Sequence, residues 1–251
     1  MKLRFVNLKH YYQEFLNLIH YSLNPVYIEP DKKTVFQNVK GTWTIFVIKT
    51  VLTIIIGGLV TIIIDPVNQT KIRWNELYST GTIFLLSIII LPLLEEIAFR
   101  LSLKFKPIYV PFTVSVLTYY AVTKGVYHTS LSNTENHFKI RVLIALIALI
   151  IFSIILFQSR IKNTLDRFWN INFKWIFYAL SVSFAWMHIL NYEINVKHIL
   201  LLPLITLPKL VSAISYGYIR MHYGFLYSLG LHMCWNSIGF IMSLFSTVGA
   251  D

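Results

Sequence analysis

The chain alternates long apolar runs with short polar segments over most of its length. Seven of these runs hold about 20 mostly apolar residues, which is long enough to cross a bilayer as a helix. They cover roughly residues 42–64, 80–103, 107–127, 140–158, 174–192, 197–219 and 223–247. Lys124 interrupts the third run, and Pro203, Pro208 and Lys209 interrupt the sixth. The pattern therefore predicts about seven transmembrane helices, within a range of six to eight.

Residues 1–40 form the most polar part of the chain, and within them apolar side chains recur at helical spacing. These positions are Phe5, Leu8, Tyr12, Phe15, Leu16 and Ile19. Asn24-Pro25 ends the pattern. We expect an interfacial amphipathic helix here, ahead of a single membrane-embedded domain over 41–251. The stretch lacks the apolar core and cleavage site of a signal peptide, so we expect it to be retained.

Composition agrees with an all-α, polytopic membrane helix bundle. Hydrophobic residues make up 56% of the chain and charged residues only 13%, whereas charged residues make up about a quarter of a soluble protein. The net charge of +11 is spread between the apolar runs, which favours anionic lipid headgroups over nucleic acid as the partner. Cys234 is the only cysteine, so an intrachain disulfide and a CxxC metal site are excluded, and we interpret this residue as a packing residue.

The basic residues also predict the orientation of the bundle. With the N-terminus inside, the inner segments carry fourteen Lys and Arg residues and the outer loops carry six. Cytoplasmic loops are enriched in Lys and Arg, so the asymmetry predicts a multi-pass protein of the bacterial cytoplasmic membrane with its N-terminus inside and its C-terminus outside.

The second apolar run ends in "LLEEIAFRLSL", which places two glutamates and an arginine at membrane depth. An ionisable group there costs at least a few kcal/mol, so each one requires a partner or a function. Glu96 and Arg100 are four residues apart and share a helix face, which predicts an ion pair. Glu95 points about 100° away from that pair. It is therefore the candidate general base, although solvated glutamates at a helix end would be an ordinary alternative.

Two later runs carry further polar side chains. His188 follows Phe184 by one helical turn, so the two rings are expected to pack together. His232 and Asn236 share a face in the middle of the last run. Each of these residues alone could be a core residue or could join two helices by a hydrogen bond. Together with a carboxylate, they are the groups needed to activate a water molecule and stabilise an oxyanion.

Glu95-Glu96-x-x-x-Arg100, Phe184-x-x-x-His188 and His232-x-x-x-Asn236 occur in that order, each in an apolar helix. This arrangement resembles the three motifs of the CPBP family, the intramembrane proteases that include CAAX prenyl endopeptidases and bacteriocin-processing or immunity proteins of the Abi type. The resemblance covers about residues 80–247. It implies a helical bundle around a polar cavity, in which Glu95 and His188 activate water while His232 and Asn236 stabilise the oxyanion.

The resemblance implies an intramembrane endopeptidase that acts on a membrane-associated peptide or a lipidated, for example prenylated, protein. We expect no cofactor, although a competing mechanism has the glutamates and histidines bind zinc. The alternative function is a non-catalytic membrane scaffold or a bacteriocin self-immunity protein of the same fold. A proton-coupled transporter is disfavoured because the chain has no internal repeat.

Overall fold

A computed structural model describes residues 8–29, 33–64, 66–193 and 195–247, and these residues fold into an all-helical bundle with no β-strand among them. Phe5, which the amphipathic pattern includes, lies outside the described residues. The helices are listed in chain order: α1 Leu8–Leu23, α2 Val35–Ile64, α3 Gln69–Leu77, α4 Thr80–Leu103, α5 Tyr109–Ala121, α6 Phe138–Phe157, α7 Ser159–Met187, α8 Val196–Leu200, α9 Leu202–Ile205, α10 Leu207–His222 and α11 Phe225–Thr247.

Four helices in the described ranges are long and apolar enough to cross a membrane: α2, α4, α6, and α7 with the 3-10 turn His188–Asn191 that follows it. Their outward side chains are largely apolar and exposed, as expected where the surroundings are lipid. Ile62 on α2 is 82% exposed and Phe157 at the end of α6 is 91% exposed. The larger count of about seven spans stays a prediction.

The sixth apolar run, 197–219, is predicted to form one membrane-spanning helix, but in the structure it is not continuous. It divides into α8, α9 and α10, and α9 and α10 each begin with a proline in the first turn, Pro203 and Pro208. Proline lacks a backbone N–H and clashes with the preceding turn, so it starts a helix more readily than it continues one. The run therefore forms two short helices and one of 16 residues.

The fifth run, 174–192, is the second half of a longer helix. Helix α7 begins at Ser159 and bends at Asn172, whose backbone leaves the helical region at φ −103° and ψ 15°. The Asn172 side chain donates to the Phe168 carbonyl oxygen at 3.0 Å. An amide that hydrogen-bonds to the preceding turn commonly accompanies such a bend.

Helix α1 lies against the bundle by one face, and Asn24-Pro25 follows its end as predicted. Leu18 and Tyr21 are buried, whereas Leu8 and Tyr12 are 78% and 62% exposed. The Tyr21 ring makes edge contacts with Phe177, Tyr218 and His222. The exposed apolar face agrees with a position at the membrane interface.

Helix α10 lies at the centre and packs against α2, α7 and α11. Most of its residues between Ser212 and Met221 are buried. Gly217 permits the closest approach, because a Cβ atom at this position would lie 2.6 Å from Cε2 of Phe177 on α7. This central helix carries Tyr216 to the polar groups that α4 and α11 place inside the bundle.

Candidate active site

The six predicted site residues lie on three helices. Helix α4 carries Glu95, Glu96 and Arg100, His188 lies where α7 passes into its 3-10 turn, and α11 carries His232 and Asn236. The structure brings the glutamates, Arg100 and His232 into one buried cluster. His188 and Glu95 both line a neighbouring cavity, and Asn236 makes a different contact.

Glu96 lies at the centre of the cluster and is fully buried. Its Oε1 is 3.0 Å from His232 Nδ1 and 3.7 Å from Arg100 Nε. The Ser228 hydroxyl donates to Oε2 at 2.6 Å. The predicted i,i+4 pair of Glu96 and Arg100 is therefore present, and partners from another helix complete the shell of this carboxylate.

His232 joins the two glutamates. Its Nδ1 faces Glu96, and its Nε2 lies 3.4 Å from Glu95 Oε2. The imidazole stacks on the Tyr216 ring with centroids 4.6 Å apart and planes 21° apart, and Phe184 meets it edge-on at 6.1 Å. Contacts on both nitrogens and on the ring faces fix its orientation, so His232 sets the position of the Glu95 carboxylate.

The guanidinium group of Arg100 is contacted mainly by aromatic rings. Its guanidinium carbon lies 3.8 Å from the centroid of Phe184 and 5.4 Å from that of Tyr216. Within the described part of the chain, its Nη1 and Nη2 have no hydrogen-bond partner. Attraction to the aromatic faces and to Glu96 therefore stabilises this buried charge.

One ring nitrogen of His188 is hydrogen-bonded to the backbone of its own helix. Its Nδ1 donates to the Phe184 carbonyl oxygen at 2.8 Å, and its ring lies 4.7 Å from the Phe184 ring, which confirms the predicted packing. This hydrogen bond requires the proton on Nδ1, so Nε2 of the neutral ring carries the lone pair that can accept a proton.

Glu95 and His188 line the same cavity, which has a volume of about 160 Å³. The side chain of Glu95 is 14% exposed, in contrast to the fully enclosed Glu96. The remaining wall comes from helix α3, the segment after α5 and the 3-10 turn, and includes these residues: Thr70, Trp74, Leu91, Lys124, Ser130, Leu131, Ser132, Met187, Leu190 and Asn191. A carboxylate and an imidazole that line one small cavity can together bind and polarise a water molecule.

Asn236 contacts α4 at an irregular turn. The Asn236 amide donates to the Ser87 carbonyl oxygen at 2.8 Å, inside the π-helical segment Leu85–Ile90. The Leu91 N–H bonds to the Leu86 carbonyl, and Pro92 has no N–H to offer. The Ser87 carbonyl therefore lacks a donor on its own helix, and Asn236 supplies one.

Four residues that contribute to the site were not predicted from the sequence. Ser228, His232 and Asn236 follow one another at intervals of four residues on α11. This spacing could have identified Ser228 as a site residue from the sequence. Tyr216 carries no local signal, because only the packing of α10 brings it to His232. Lys124 lines the cavity, and Lys209 interacts electrostatically with Glu95. Both lysines had been noted only as interruptions of apolar runs.

Two interpretations of site chemistry are refined by the structure. Cys234 is exposed, so its interpretation as a packing residue was wrong; a shift of two residues turns it away from the His232 face and out of the bundle. In the described ranges, no group of three or more His, Cys, Asp or Glu side chains is arranged to hold a metal ion.

Comparison of the chain with protein-family models, with curated proteins and with solved structures gave no match.

Proposed function

We propose that this protein is an intramembrane endopeptidase of the CPBP type, which hydrolyses a peptide bond in a membrane-associated peptide or protein. One observation carries the proposal: Glu95 and His188 both line one small cavity inside a helical bundle. Ionisable side chains at membrane depth are costly to place there, and a role in chemistry accounts for that cost.

In the proposed reaction, Glu95 takes one proton from a water molecule while the other O–H of that water donates a hydrogen bond to His188 Nε2. The water oxygen adds to the scissile carbonyl carbon and forms a tetrahedral oxyanion. The proton held by Glu95 then passes to the leaving nitrogen, and the C–N bond breaks to give a carboxylic acid and an amine. The acid loses its remaining proton to the amine, so that a carboxylate and an ammonium group are released. Lys124 lines the same cavity and would place a positive charge beside the oxyanion.

The buried cluster positions Glu95 for this chemistry. His232 orients Glu95 through Nε2 and is itself held by Glu96, which Ser228 and Arg100 hold in turn. The expected oxyanion role of His232 and Asn236 stays a prediction. In the present geometry the hydrogen bonds of these two residues are directed at Glu95, Glu96 and Ser87.

The test is cleavage of a quenched peptide library and of farnesylated C-terminal peptides by purified protein in detergent. Glu95→Gln keeps the shape and removes the base, so we expect activity to fall by about 10²- to 10⁴-fold with unchanged helix content. Asp166→Asn makes the same change on an exposed acid of α7 and should retain full activity. More than about a tenth of the activity remaining in Glu95→Gln would contradict the base role.

The same preparation separates the direct mechanism from a zinc mechanism. We expect a membrane-permeant chelator to leave activity intact, and elemental analysis to find metal well below one equivalent. Activity that vanishes on chelation and returns with stoichiometric zinc would instead establish a metal as the Lewis acid. Zinc that is lost in His232→Ala would then identify this histidine as a ligand.

A further inference from the structure

A second and larger cavity, of about 370 Å³, adjoins the cavity of Glu95 and His188. The two cavities share the side chains of Leu91, Leu131 and Ser132, so they meet at these residues. The second cavity is lined by α4, α5, α6 and the loop 127–137. Its lining is almost entirely apolar: Leu86, Ile90, Leu91, Leu94, Ser115, Val116, Tyr119, Leu131, Ser132, Thr134, Phe138, Val142, Ala145 and Leu146.

Three polar side chains on this wall already have partners within the protein. The Ser115 hydroxyl donates to the Ala145 carbonyl oxygen at 2.8 Å, and the Tyr119 hydroxyl donates to the Leu131 carbonyl oxygen at 2.8 Å. The Ser132 hydroxyl accepts from Tyr78 at 3.3 Å. Because these groups already have hydrogen-bond partners, apolar contact stabilises a ligand in this cavity. Polar groups of a ligand would be buried there without hydrogen bonds, at a cost in free energy.

The shared wall is held firmly. Besides the bonds to Leu131 and Ser132, Arg141 is fully buried and donates to the Asn133 carbonyl oxygen and to Thr123. The loop that borders both cavities is thus fixed to α5 and α6. A fixed wall next to the water-activating pair is the arrangement that a specificity pocket requires, because its shape is set before the substrate binds.

We propose that this apolar pocket binds a large apolar side chain of the substrate peptide, at a residue beside the scissile bond. The inference rests on the proposed peptidase function. An extended peptide advances about 3.3–3.6 Å per residue, so a chain whose scissile carbonyl lies at Glu95 and His188 places an adjacent side chain at the wall formed by Leu91 and Leu131. The pocket volume lies within the range of about 300–1,000 Å³ that ligand sites occupy.

The experiment uses quenched peptides that differ only in one residue beside the cleaved bond, which is Ala, Leu, Phe or Lys. For one of the two flanking positions, we expect Leu or Phe to raise kcat/KM by about 10- to 200-fold over Ala. Val142→Phe fills the pocket and should lower kcat/KM for the Leu and Phe peptides to the value for the Ala peptide. Leu143→Phe adds the same ring to the adjacent residue, which is 56% exposed, and should keep the preference.

Binding separates failure of this inference from failure of the proposed function. Fluorescence anisotropy with peptides N-methylated at the scissile amide measures pocket occupancy without hydrolysis, and the Leu peptide should bind more tightly to wild type and Leu143→Phe than to Val142→Phe. Cleavage without side-chain preference would overturn the pocket assignment and leave the peptidase intact. A phospholipid that co-purifies with wild type but not with Val142→Phe would show that an acyl chain is the occupant, and this would also overturn the assignment.

Discussion

The two ring nitrogens of His232 connect two carboxylates that the sequence places side by side on α4. Nδ1–H donates to Glu96, and Nε2 lies 3.4 Å from Glu95 Oε2. The ionised Glu95 that acts as a base is held by this contact when Nε2 carries a proton. The protonation of Glu95 is therefore coupled to the placement of Glu96, and residues that hold Glu96 should influence the reaction without touching the substrate.

Ser228 is the clearest case of such a positioning residue. Ser228→Ala removes the 2.6 Å hydrogen bond to Glu96 Oε2, so we expect kcat to fall by about 10-fold with little change in KM. Ser228→Thr retains the hydroxyl and should recover most of the activity. Ser237→Ala is the matched control, since that hydroxyl bonds only to the Met233 carbonyl of its own helix. Equal kinetics for Ser228→Ala and Ser237→Ala would contradict the positioning role.

Arg100 should contribute to stability as well as to rate. Arg100→Ala leaves Glu96 charged and without its cation in a fully buried site. Loss of one partner of a buried pair costs about 3–5 kcal/mol, so the apparent Tm in detergent should fall clearly. Arg100→Lys keeps the charge and should lose less. Unchanged thermal unfolding of Arg100→Ala would show that the pair adds nothing to the fold.

Contacts within one helix were predictable from the sequence, whereas contacts between helices were not. Spacing of four residues predicted the Glu96–Arg100 pair and the Phe184–His188 packing, because both follow from helical geometry. The same geometry indicated that Glu95 turns away from Arg100. It could not indicate that His232 meets Glu95, since that contact depends on how α4 and α11 cross.

At the scale of the helices, α4 shows how one proline determines the hydrogen-bond partner of Asn236. Pro92 and the π-helical turn before it leave the Ser87 carbonyl without a backbone donor, and Asn236 fills that place. A π-helical turn has no reliable pattern in the sequence. The position of Asn236 on the same helical face as His232 was therefore predictable, while its hydrogen-bond partner was not.

Helix α10 depends on a glycine for its central position. Ala at position 217 would place Cβ 2.6 Å from Phe177 Cε2 and 3.0 Å from its Cζ. Phe177 is fully buried and cannot move aside freely, so we expect Gly217→Ala to destabilise the fold by about 1–3 kcal/mol.

Thermal unfolding in detergent tests this expectation against Gly58→Ala. In α2, a Cβ at Gly58 would meet nothing within 4 Å, and alanine favours a helix by about 1 kcal/mol over glycine. That control should unfold at the wild-type temperature or above it. A Gly217→Ala protein as stable as the control would show that α7 and α10 do not pack as closely as described.

At the scale of the whole molecule, hydrogen bonds and an ion pair join two sets of connecting segments. Three segments that the charge pattern places outside come together around the cavity: Thr70 bonds to Asn191 at 3.2 Å, and Tyr78 bonds to Ser132. Segments assigned to the inside also meet, since Trp169 donates to the Ser102 carbonyl at 2.8 Å and Lys104 pairs with Glu29.

The segments that line the cavity of Glu95 and His188 include those that the charge pattern predicts to lie outside. If the N-terminus lies inside, substrates reach this cavity from the outer side of the membrane. Cysteine labelling tests this in the Cys234→Ser background, which removes the only native thiol. Thr134→Cys in the loop beside the cavity and Asn163→Cys in α7 both replace exposed residues.

An impermeant maleimide should label Thr134→Cys in intact cells, and should label Asn163→Cys only after the membrane is permeabilised. The reverse pattern would place the N-terminus outside and direct the cavity toward the cytoplasm, although the grouping of segments would stand. Labelling of both cysteines in intact cells would contradict the assignment of these two segments to opposite sides. The substrate side follows from the same measurement, because Ser130, Leu131 and Ser132 of the labelled loop form part of the cavity wall that faces Glu95.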